Sequence, residues 1–403
     1  MQVGTFGSKV LRMRIGIEVC PLSKQLTGIG NYMRGLVEQL PGIAPRHDYV
    51  LYSNREISVP NSMQAFRQRI DNPFRRMPGS LWILGRCGAL VRRDKLDVFW
   101  ASGALLPRGI PPSVLKVVTV YDMVWLRCPE TTTRYNLLIQ RMFFRRAVAD
   151  ADLIVVISRS TQDELIETLG VPREKTRLVY PGIDARYTVQ DRSKAAEYIA
   201  AKYRVPSRYL ATVGIVHPRK NQRFLVEVLR ILKSKGQLDG PLLVVGPIGW
   251  KNSALFREIR EAGLTENEIR FLGYMCHDDM PSFYAGAQAF LFPTLYEGFG
   301  LPPVEALACG TPVIASDAPC MPEVLGGAAI LEPLTSPQRF AAAVVKVMRD
   351  EDLRSSMKLE GVRRAQKFSY EASAKQLVKF LEEAKTFHRA SSSLDQAPIP
   401  TLT

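Results

Sequence analysis

The chain has 403 residues, with 46% hydrophobic and 23% charged side chains, an ordinary globular composition with enough length for two domains. Six cysteines without a C-x-x-C pair, and four histidines without metal-ligand spacing, argue against a zinc site and against a secreted disulfide framework. The net charge of +15 is concentrated in residues 1–205, which carry +13 of it, and such a field attracts nucleic acid, anionic phospholipid or a phosphate-bearing substrate.

The N-terminal stretch lacks the apolar core of a signal peptide, and no window of the sequence reaches the length of a membrane span. The sequence therefore predicts a cytoplasmic protein that is at most peripheral on the inner face of the cell membrane.

The first predicted strand, Arg14–Cys20, is followed by a glycine turn at residues 27–32 that opens a helix over Tyr32–Leu40. Free N–H groups at such a turn can receive phosphate. The turn fails as a dinucleotide fingerprint, because Met33 stands where a third glycine is required. Gly30 is a candidate phosphate contact, and a plain turn glycine is the alternative.

Two segments mix basic residues with apolar and aromatic ones. Met63–Lys95 holds eight basic residues and two aspartates, and Met142–Arg146 has the same character. This composition fits a segment lying on an anionic membrane surface. The alternative is a set of ordinary amphipathic helices with solvated arginines.

Further strands are predicted at Leu96–Trp100, Leu115–Val120 and Ala151–Ile157. The second runs directly into Tyr121-Asp122, and polar residues at the carboxyl end of a parallel strand point into the ligand crevice. A turn acid is the alternative for Asp122. After the third strand, Thr161 and Glu164 have the spacing of a capping box.

The second half opens with a strand at Tyr209–Gly214, followed by a turn that carries Arg219 and Lys220 and by a helix over Gln222–Lys235. Two adjacent cations at a strand end, beside a helix N-terminus, suit a pyrophosphate. Arginine binds two oxygens in a fork, and lysine adds a point charge.

The central motif runs from an apolar strand at Ala289–Phe292, through a glycine loop at Glu297–Leu301, to a helix that begins at two prolines and ends at Gly310. Glu297 and Glu305 bracket the start of this helix. Their carboxylates suit the hydroxyls of a sugar or a ribose, whereas a helix-capping acid and a solvated helical acid are the alternatives.

The stretch EGFGLPPVEALACGTPVIAS, with Arg219-Lys220-Asn221 upstream and Pro322-Glu323-Val324 downstream, closely resembles the nucleotide-sugar-dependent glycosyltransferases of family 4. The resemblance covers roughly Arg14 to Thr386. It implies an α/β protein of the GT-B fold, with two doubly wound parallel-sheet domains facing across a cleft, and a transfer that retains anomeric configuration. The domains would be residues 13–190 and 205–368, followed by a helix over 369–388 that crosses back and by a disordered tail over 390–403.

The resemblance also assigns roles to residues. It implies three catalytic residues, six residues that bind the donor, and two contacts to the sugar or the acceptor. The catalytic residues are Arg219, Lys220 and Glu297. The donor-binding residues are Gly30, Gly298, Phe299, Gly300, Leu301 and Glu305. The contacts to the sugar or the acceptor are Tyr121 and Asp122. Many family members have histidine where Tyr121 stands, and a phenol cannot act as a base near neutral pH. No metal and no other cofactor is expected, since the two cations would take the place of a metal.

The GIGNY loop and the Tyr-Asp pair are similar to those of bacterial mannosyltransferases of polysaccharide and lipopolysaccharide assembly, which implies GDP-mannose as donor and leaves a UDP-hexose open. The implied acceptor is a glycan or a polyprenyl-diphosphate-linked oligosaccharide, with peripheral contact to anionic membrane as a hypothesis and no nucleic acid as partner. Two alternatives stay open: a nucleotide-dependent oxidoreductase, and a catalytically silent GT-B domain that acts as a binding protein.

Overall fold

The N-terminal half of the chain forms one parallel sheet. In the computed structural model, which describes residues 12–23, 28–57, 61–63 and 66–394, seven strands lie in the order β3-β2-β1-β4-β5-β6-β7. They are β1 (Arg14–Glu18), β2 (Asp48–Ser53), β3 (Arg67–Ile70), β4 (Val98–Ala101), β5 (Leu115–Val120), β6 (Leu153–Val156) and β7 (Thr176–Leu178).

The C-terminal half forms a second parallel sheet of six strands in the order β10-β9-β8-β11-β12-β13. They are β8 (Leu210–Val213), β9 (Leu242–Val245), β10 (Ile269–Gly273), β11 (Phe290–Phe292), β12 (Val313–Ser316) and β13 (Ile330–Glu332). The expected α/β architecture of two doubly wound sheets is confirmed.

Fifteen α-helices connect and cover these strands within the described ranges. They are α1 (Gly28–Ile43), α2 (Gly79–Trp82), α3 (Gly88–Asp94), α4 (Val124–Arg127), α5 (Arg134–Asp150), α6 (Arg159–Leu169), α7 (Arg192–Tyr203), α8 (Gln222–Ser234), α9 (Ser253–Glu261), α10 (Met280–Gly286), α11 (Leu301–Ala308), α12 (Met321–Leu325), α13 (Pro337–Arg349), α14 (Glu351–Ala365) and α15 (Tyr370–Leu394). Of the helices described, none has both the length and the apolar character that crossing a bilayer requires.

Each sheet reverses its strand order once, between β1 and β4 in the first and between β8 and β11 in the second. The central strands β4, β6, β9, β11 and β12 are short apolar runs buried on both faces, as expected of parallel sheets covered by helices. The edge strand β3 is polar and partly exposed. In sheets of this kind ligands bind beyond the carboxyl ends of the strands, next to the reversal. The glycine loop that follows β11 is at such a position.

Three local predictions need correction. Helix α1 begins at Gly28, four residues before the predicted start, so Gly30 lies in its first turn rather than in a preceding loop. Between the two predicted domains, where no element was predicted, the structure has α7, whose Tyr198, Lys202 and Tyr203 all bond to the carboxylate of Asp279 at the start of α10.

The third correction concerns the start of α6. Its cap is Ser158, whose Oγ accepts from Thr161 N at 3.0 Å, and not Thr161 with Glu164. The predicted spacing is that of a capping box, but Ser158 offers an equivalent oxygen three residues earlier. Glu164 turns instead to Arg127 and to Tyr296 of the second domain.

The last helix returns to the first domain. Tyr370 Oη donates to Asn31 O at 3.1 Å near the start of α1, and Arg389 pairs with Asp97 at 2.7 Å. Residues 390–394 continue this helix, which corrects the predicted disorder there. The rest of the predicted tail, residues 395–403, lies outside the described part of the chain.

Candidate active site

The residues predicted to carry the chemistry converge on the cleft between the two sheets. Tyr121 and Asp122 follow β5, while Arg219 and Lys220 lie in the short turn between β8 and α8. The loop that begins at Glu297 connects β11 to α11. Pairing of β8 with β11 brings the last two groups together, and Leu295 N donates to Arg219 O at 2.9 Å.

Glu297 binds both predicted cations. Its Oε1 lies 2.9 Å from Arg219 Nη1 and 2.7 Å from Lys220 Nζ, and it also accepts from Thr294 Oγ1 at 3.0 Å. Burial raises the pKa of this carboxyl, but the two cations outweigh burial and lower the pKa to about 2. Glu297 is therefore ionised near neutral pH, and its oxygens can only accept hydrogen bonds.

The turn that carries the cations is held by aromatic contacts. The ring of His217 stacks on Trp250 with centroids 4.8 Å apart, and its Nδ1 accepts from Arg219 N at 3.3 Å. Lys220 Nζ lies 4.8 Å from the ring centroid of Phe292. Burial and the two neighbouring cations lower the pKa of His217 to about 4. His217 is thus neutral near pH 7 and acts as a structural residue of this turn.

Glu305 lies on α11 in a different environment from Glu297. Its Oε2 accepts from Tyr284 Oη at 2.7 Å. Burial raises the pKa of Glu305 to about 7, and the hydrogen bond from Tyr284 offsets only part of that rise. The two acids of the motif therefore differ, because one has two cations within 3 Å and the other is desolvated beside a phenol.

The raised pKa of Glu305 predicts a pH dependence of stability. The folded state holds its proton to higher pH than the unfolded state, so this contribution is fully present below about pH 4.5 and is lost as the pH rises through about 7. At 1.36 kcal/mol per pKa unit the loss is about 3 kcal/mol. We expect Glu305→Gln to show a smaller fall in unfolding free energy between pH 5 and pH 8 than the wild type, measured by urea unfolding. The exposed Glu266→Gln should behave as the wild type, and equal slopes for Glu305→Gln and the wild type would contradict the assignment.

The glycine loop touches the opposite domain. A Cβ placed on Gly298 would lie 1.8 Å from the carbonyl oxygen of Tyr121 and 3.1 Å from Asp122 Cβ. Only a residue without a side chain permits this approach, so the cleft is closed at this point by backbone against backbone.

The rest of the loop contributes backbone rather than side chains. Gly300 adopts a left-handed conformation at φ 90° and caps the N-terminus of α11, whose first residue is Leu301. The ring of Phe299 is buried between Tyr180 and Phe368, with centroid distances of 6.1 and 5.1 Å. Phe299 can therefore contact a ligand at this loop only through its main chain.

Tyr121 and Asp122 lie on the first-domain side of the cleft. The Tyr121 ring meets Tyr32 edge to face at 5.6 Å, and its hydroxyl is buried without a hydrogen-bond partner in the part of the chain that the structure describes. Burial raises the pKa of Asp122, an effect that nearby Arg219 opposes. Gly30 lies in the first turn of α1, two residues before Tyr32.

Two interdomain contacts were missed by the sequence reasoning. Tyr296 Oη donates to Glu164 Oε2 at 2.5 Å and accepts from Met123 N at 2.8 Å, while its carbonyl accepts from Arg219 Nη1 at 2.8 Å. Tyr296 thus links the first domain to one of the cations. Its position next to Glu297 is the one feature of the sequence that could have drawn attention to it.

The second contact involves Glu323 of α12. Its carboxylate accepts from Arg159 N at 2.7 Å and Ser160 N at 3.0 Å, and also from Tyr180 Oη at 2.8 Å. A carboxylate at a helix N-terminus is favoured by the free N–H groups and the helix dipole. Glu323 thus binds free N–H groups at the start of α6 in the other domain, next to the cap residue Ser158.

Among the described residues, no three His, Cys, Asp or Glu side chains converge in a way that could hold a metal ion. The expectation that the reaction needs no metal stays a prediction.

Comparison with known proteins covers both domains. Residues 26–187 match the model described as "Glycosyltransferase Family 4", and residues 199–364 match the one described as "Glycosyl transferases group 1". The chain is 26% identical over 373 residues to the O-antigen chain mannosyltransferase B of Escherichia coli, covering 89% of this chain and 97% of the relative.

Solved structures share the architecture at low sequence identity. The sucrose-phosphate synthase of Thermosynechococcus elongatus matches with a TM-score of 0.72 and 19% identity, covering 92% of this chain and 99% of that one. HepE of Anabaena, solved in complex with UDP and glucose, matches with a TM-score of 0.72, 20% identity and the same coverage.

Proposed function

We propose, from the premise that this chain belongs to glycosyltransferase family 4 and has the GT-B fold, that it transfers a hexose with retention of anomeric configuration from a nucleoside diphosphate sugar to a glycan or a lipid-linked oligosaccharide. The observation that carries the proposal is the cluster of Arg219, Lys220 and Glu297, with contacts of 2.7 and 2.9 Å, at the strand ends that face the other domain.

The two cations have the chemistry to bind the donor diphosphate. Negative charge develops on that group as the glycosidic bond breaks, and preorganised cations in a water-poor cleft stabilise it. The diphosphate oxygens would compete with Glu297 for Arg219 and Lys220. Glu297, ionised and then less tightly held, would accept hydrogen bonds from the hydroxyls of the sugar.

The remaining roles follow the geometry of the loop. Glu305 would hold the ribose, and the main chain at Gly298–Leu301 would add N–H donors at the start of α11. Gly30, Tyr121 and Asp122 would face the sugar or the acceptor from the other domain. His217 is too constrained by Trp250 and by Arg219 N to serve as a base, so we assign the acceptor's proton to a donor phosphate oxygen.

The donor we propose is GDP-mannose. The E. coli relative named as a mannosyltransferase, which aligns over most of both chains, supports this choice. A UDP-hexose is the second candidate, because the Anabaena neighbour was solved with UDP and glucose. An oxidoreductase receives no support, and a silent binding protein would have no use for the paired cations.

A thermal-shift panel of GDP, UDP, ADP, GDP-mannose, UDP-glucose and NAD tests the proposal. A ligand at about 100 times its Kd stabilises the folded state by about 2.7 kcal/mol, so we expect GDP and GDP-mannose to raise the melting temperature. A selective response to UDP compounds would replace the donor and keep the enzyme class. No response to any nucleotide would contradict the assigned donor site and favour the silent binding protein.

A further inference from the structure

Helix α5 exposes an apolar stripe to solvent. Tyr135, Leu138 and Met142 are 45%, 57% and 59% exposed, and their spacing of three and four residues places them on one helix face. Leu81 of α2 is 44% exposed. It follows Ser80, whose Oγ lies 2.8 Å from Tyr135 Oη. We call the surface formed by these four apolar residues and the exposed arginines of α5 the α2–α5 surface.

The arginines of α5 share this face. At 100° per residue, the three apolar residues and four arginines fall within a sector of about 140° of the helix. The arginines are Arg134, Arg141, Arg145 and Arg146. Of these, Arg146 pairs with Asp150 at 3.3 Å, and the other three have no carboxylate partner in the described ranges. The face is therefore both apolar and strongly basic.

The other predicted basic segment, residues 63–95, has two of its eight basic residues paired with carboxylates. Arg69 lies 2.5 Å from Asp94, and Arg86 lies 3.2 Å from Asp71. The other six are exposed and have no carboxylate partner in the described ranges; they are Arg67, Arg75, Arg76, Arg92, Arg93 and Lys95. What distinguishes α5 is that exposed apolar residues share one helix face with its arginines.

We propose that the α2–α5 surface docks on an anionic phospholipid bilayer. Exposed leucine, methionine and tyrosine side chains can enter the boundary between headgroups and acyl chains, while arginines bind lipid phosphates in a fork. Each basic residue near an anionic surface contributes about 1 kcal/mol of attraction. A nucleic acid would bind the arginines through its phosphates, but it has no acyl chains to cover the apolar stripe at the centre of the face.

Two features next to the surface fit this occupant. A cavity of about 320 Å³ has Arg145 and Lys175 among its lining residues, which suits a phosphate-bearing headgroup. At its N-terminal end, α5 begins three residues after Thr131, whose carbonyl accepts from Trp250 Nε1 of the second domain at 2.9 Å. The docked surface would adjoin the cleft, so that, on the proposed function, a lipid-linked acceptor could reach it.

Sedimentation of the full chain with vesicles tests the proposal without any donor or acceptor. We expect binding to phosphatidylcholine vesicles that contain phosphatidylglycerol at about 0.1 M salt, and much weaker binding at about 0.5 M salt, where the Debye length is less than half as long. The double variants Leu138→Glu/Met142→Glu and Arg141→Glu/Arg145→Glu should each lower the partition coefficient at least roughly tenfold.

Matched substitutions in the second domain serve as controls. Leu359→Glu changes another exposed leucine, and Arg257→Glu/Arg260→Glu reverses two exposed charges on α9. Both should bind as the wild type. Equal loss in these controls, or no pelleting of the wild type at low salt, would overturn the docking surface. Two further results would overturn it. One is binding of single-stranded RNA that is retained in Leu138→Glu/Met142→Glu, and the other is a dimer that this variant disrupts while vesicle binding persists.

A negative vesicle result would leave the donor assignment standing if GDP or UDP still raises the melting temperature. The two proposals therefore fail separately.

Discussion

Replacement of Lys220 by alanine is expected to lower turnover by two to three orders of magnitude while the protein stays folded. Loss of one preorganised group that stabilises developing negative charge costs about 10²–10³ in rate in well-studied enzymes. Lys220 is buried among Gly214, Phe292 and Glu297, with its Nζ 2.7 Å from the Glu297 carboxylate. No other cation in the described chain is placed to replace it except Arg219, which is already bound to Glu297 and to Tyr296 O.

This variant should remain folded but be less stable than the wild type. Burial lowers the pKa of Lys220, so removal of the side chain relieves the cost of desolvating that charge. Removal also breaks a buried ion pair and leaves Arg219 as the remaining cation bound to Glu297, and loss of one partner of a buried pair is destabilising. The melting temperature should therefore fall, and circular dichroism at the assay temperature should be that of the wild type.

Steady-state turnover with the donor identified by the thermal-shift panel is the measurement. Lys235→Ala, which removes an exposed lysine just beyond the end of α8, is the matched control and should keep full activity. A Lys220→Ala enzyme as active as the wild type would remove the diphosphate assignment.

Gly298→Ala is expected to reduce kcat/KM by about a hundredfold through a purely steric effect. The added Cβ would lie 1.8 Å from the Tyr121 carbonyl oxygen, which cannot yield as a flexible side chain would. The φ of Gly298 lies outside the left-handed region, so alanine meets no backbone strain there. The two domains would have to separate, and a displacement of about 1 Å at reacting groups can cost 10²-fold in rate.

Rate and shape should be measured together for this variant. Small-angle scattering is expected to show a larger radius of gyration for Gly298→Ala, with circular dichroism unchanged. Gly327→Ala is the control, since its Cβ would meet no atom within 4 Å and its φ is also unremarkable. Full activity of Gly298→Ala would mean that the closed contact is not part of the reacting arrangement.

Both predictions change contacts of the segment Tyr296–Gly298, because Lys220 pairs with Glu297 and Gly298 approaches Tyr121. Tyr296 and Glu297 are neighbours, and they connect the first domain, through Glu164 and Met123, to the cations of the second. Closure of the cleft and the position of Arg219 are therefore coupled through one residue. A variant that opens the cleft should also loosen the cation cluster.

Local sequence patterns determined most of the framework. The apolar run Leu115–Val120 is a strand with the predicted bounds, and the prolines at 302 and 303 do lie in the first turn of α11. These features depend on neighbours within a few residues, because burial of an apolar run and the fixed φ of proline act locally. The motif from Glu297 to Ser316 also pointed to family 4, which the two matching family models show.

Only the tertiary structure decided which groups meet. Glu297 and the two cations are some 77 residues apart in sequence, and their pairing depends on β8 lying next to β11. The contact of Glu323 with the start of α6 and the contact of Gly298 with Tyr121 depend on how the two sheets face each other. Likewise, composition does not show that Arg69 and Arg86 are paired with Asp94 and Asp71, or that α5 presents apolar residues to solvent beside its arginines. Spacing along the chain predicts elements, whereas burial, charge pairing and close approach are properties of surfaces that come together only after folding.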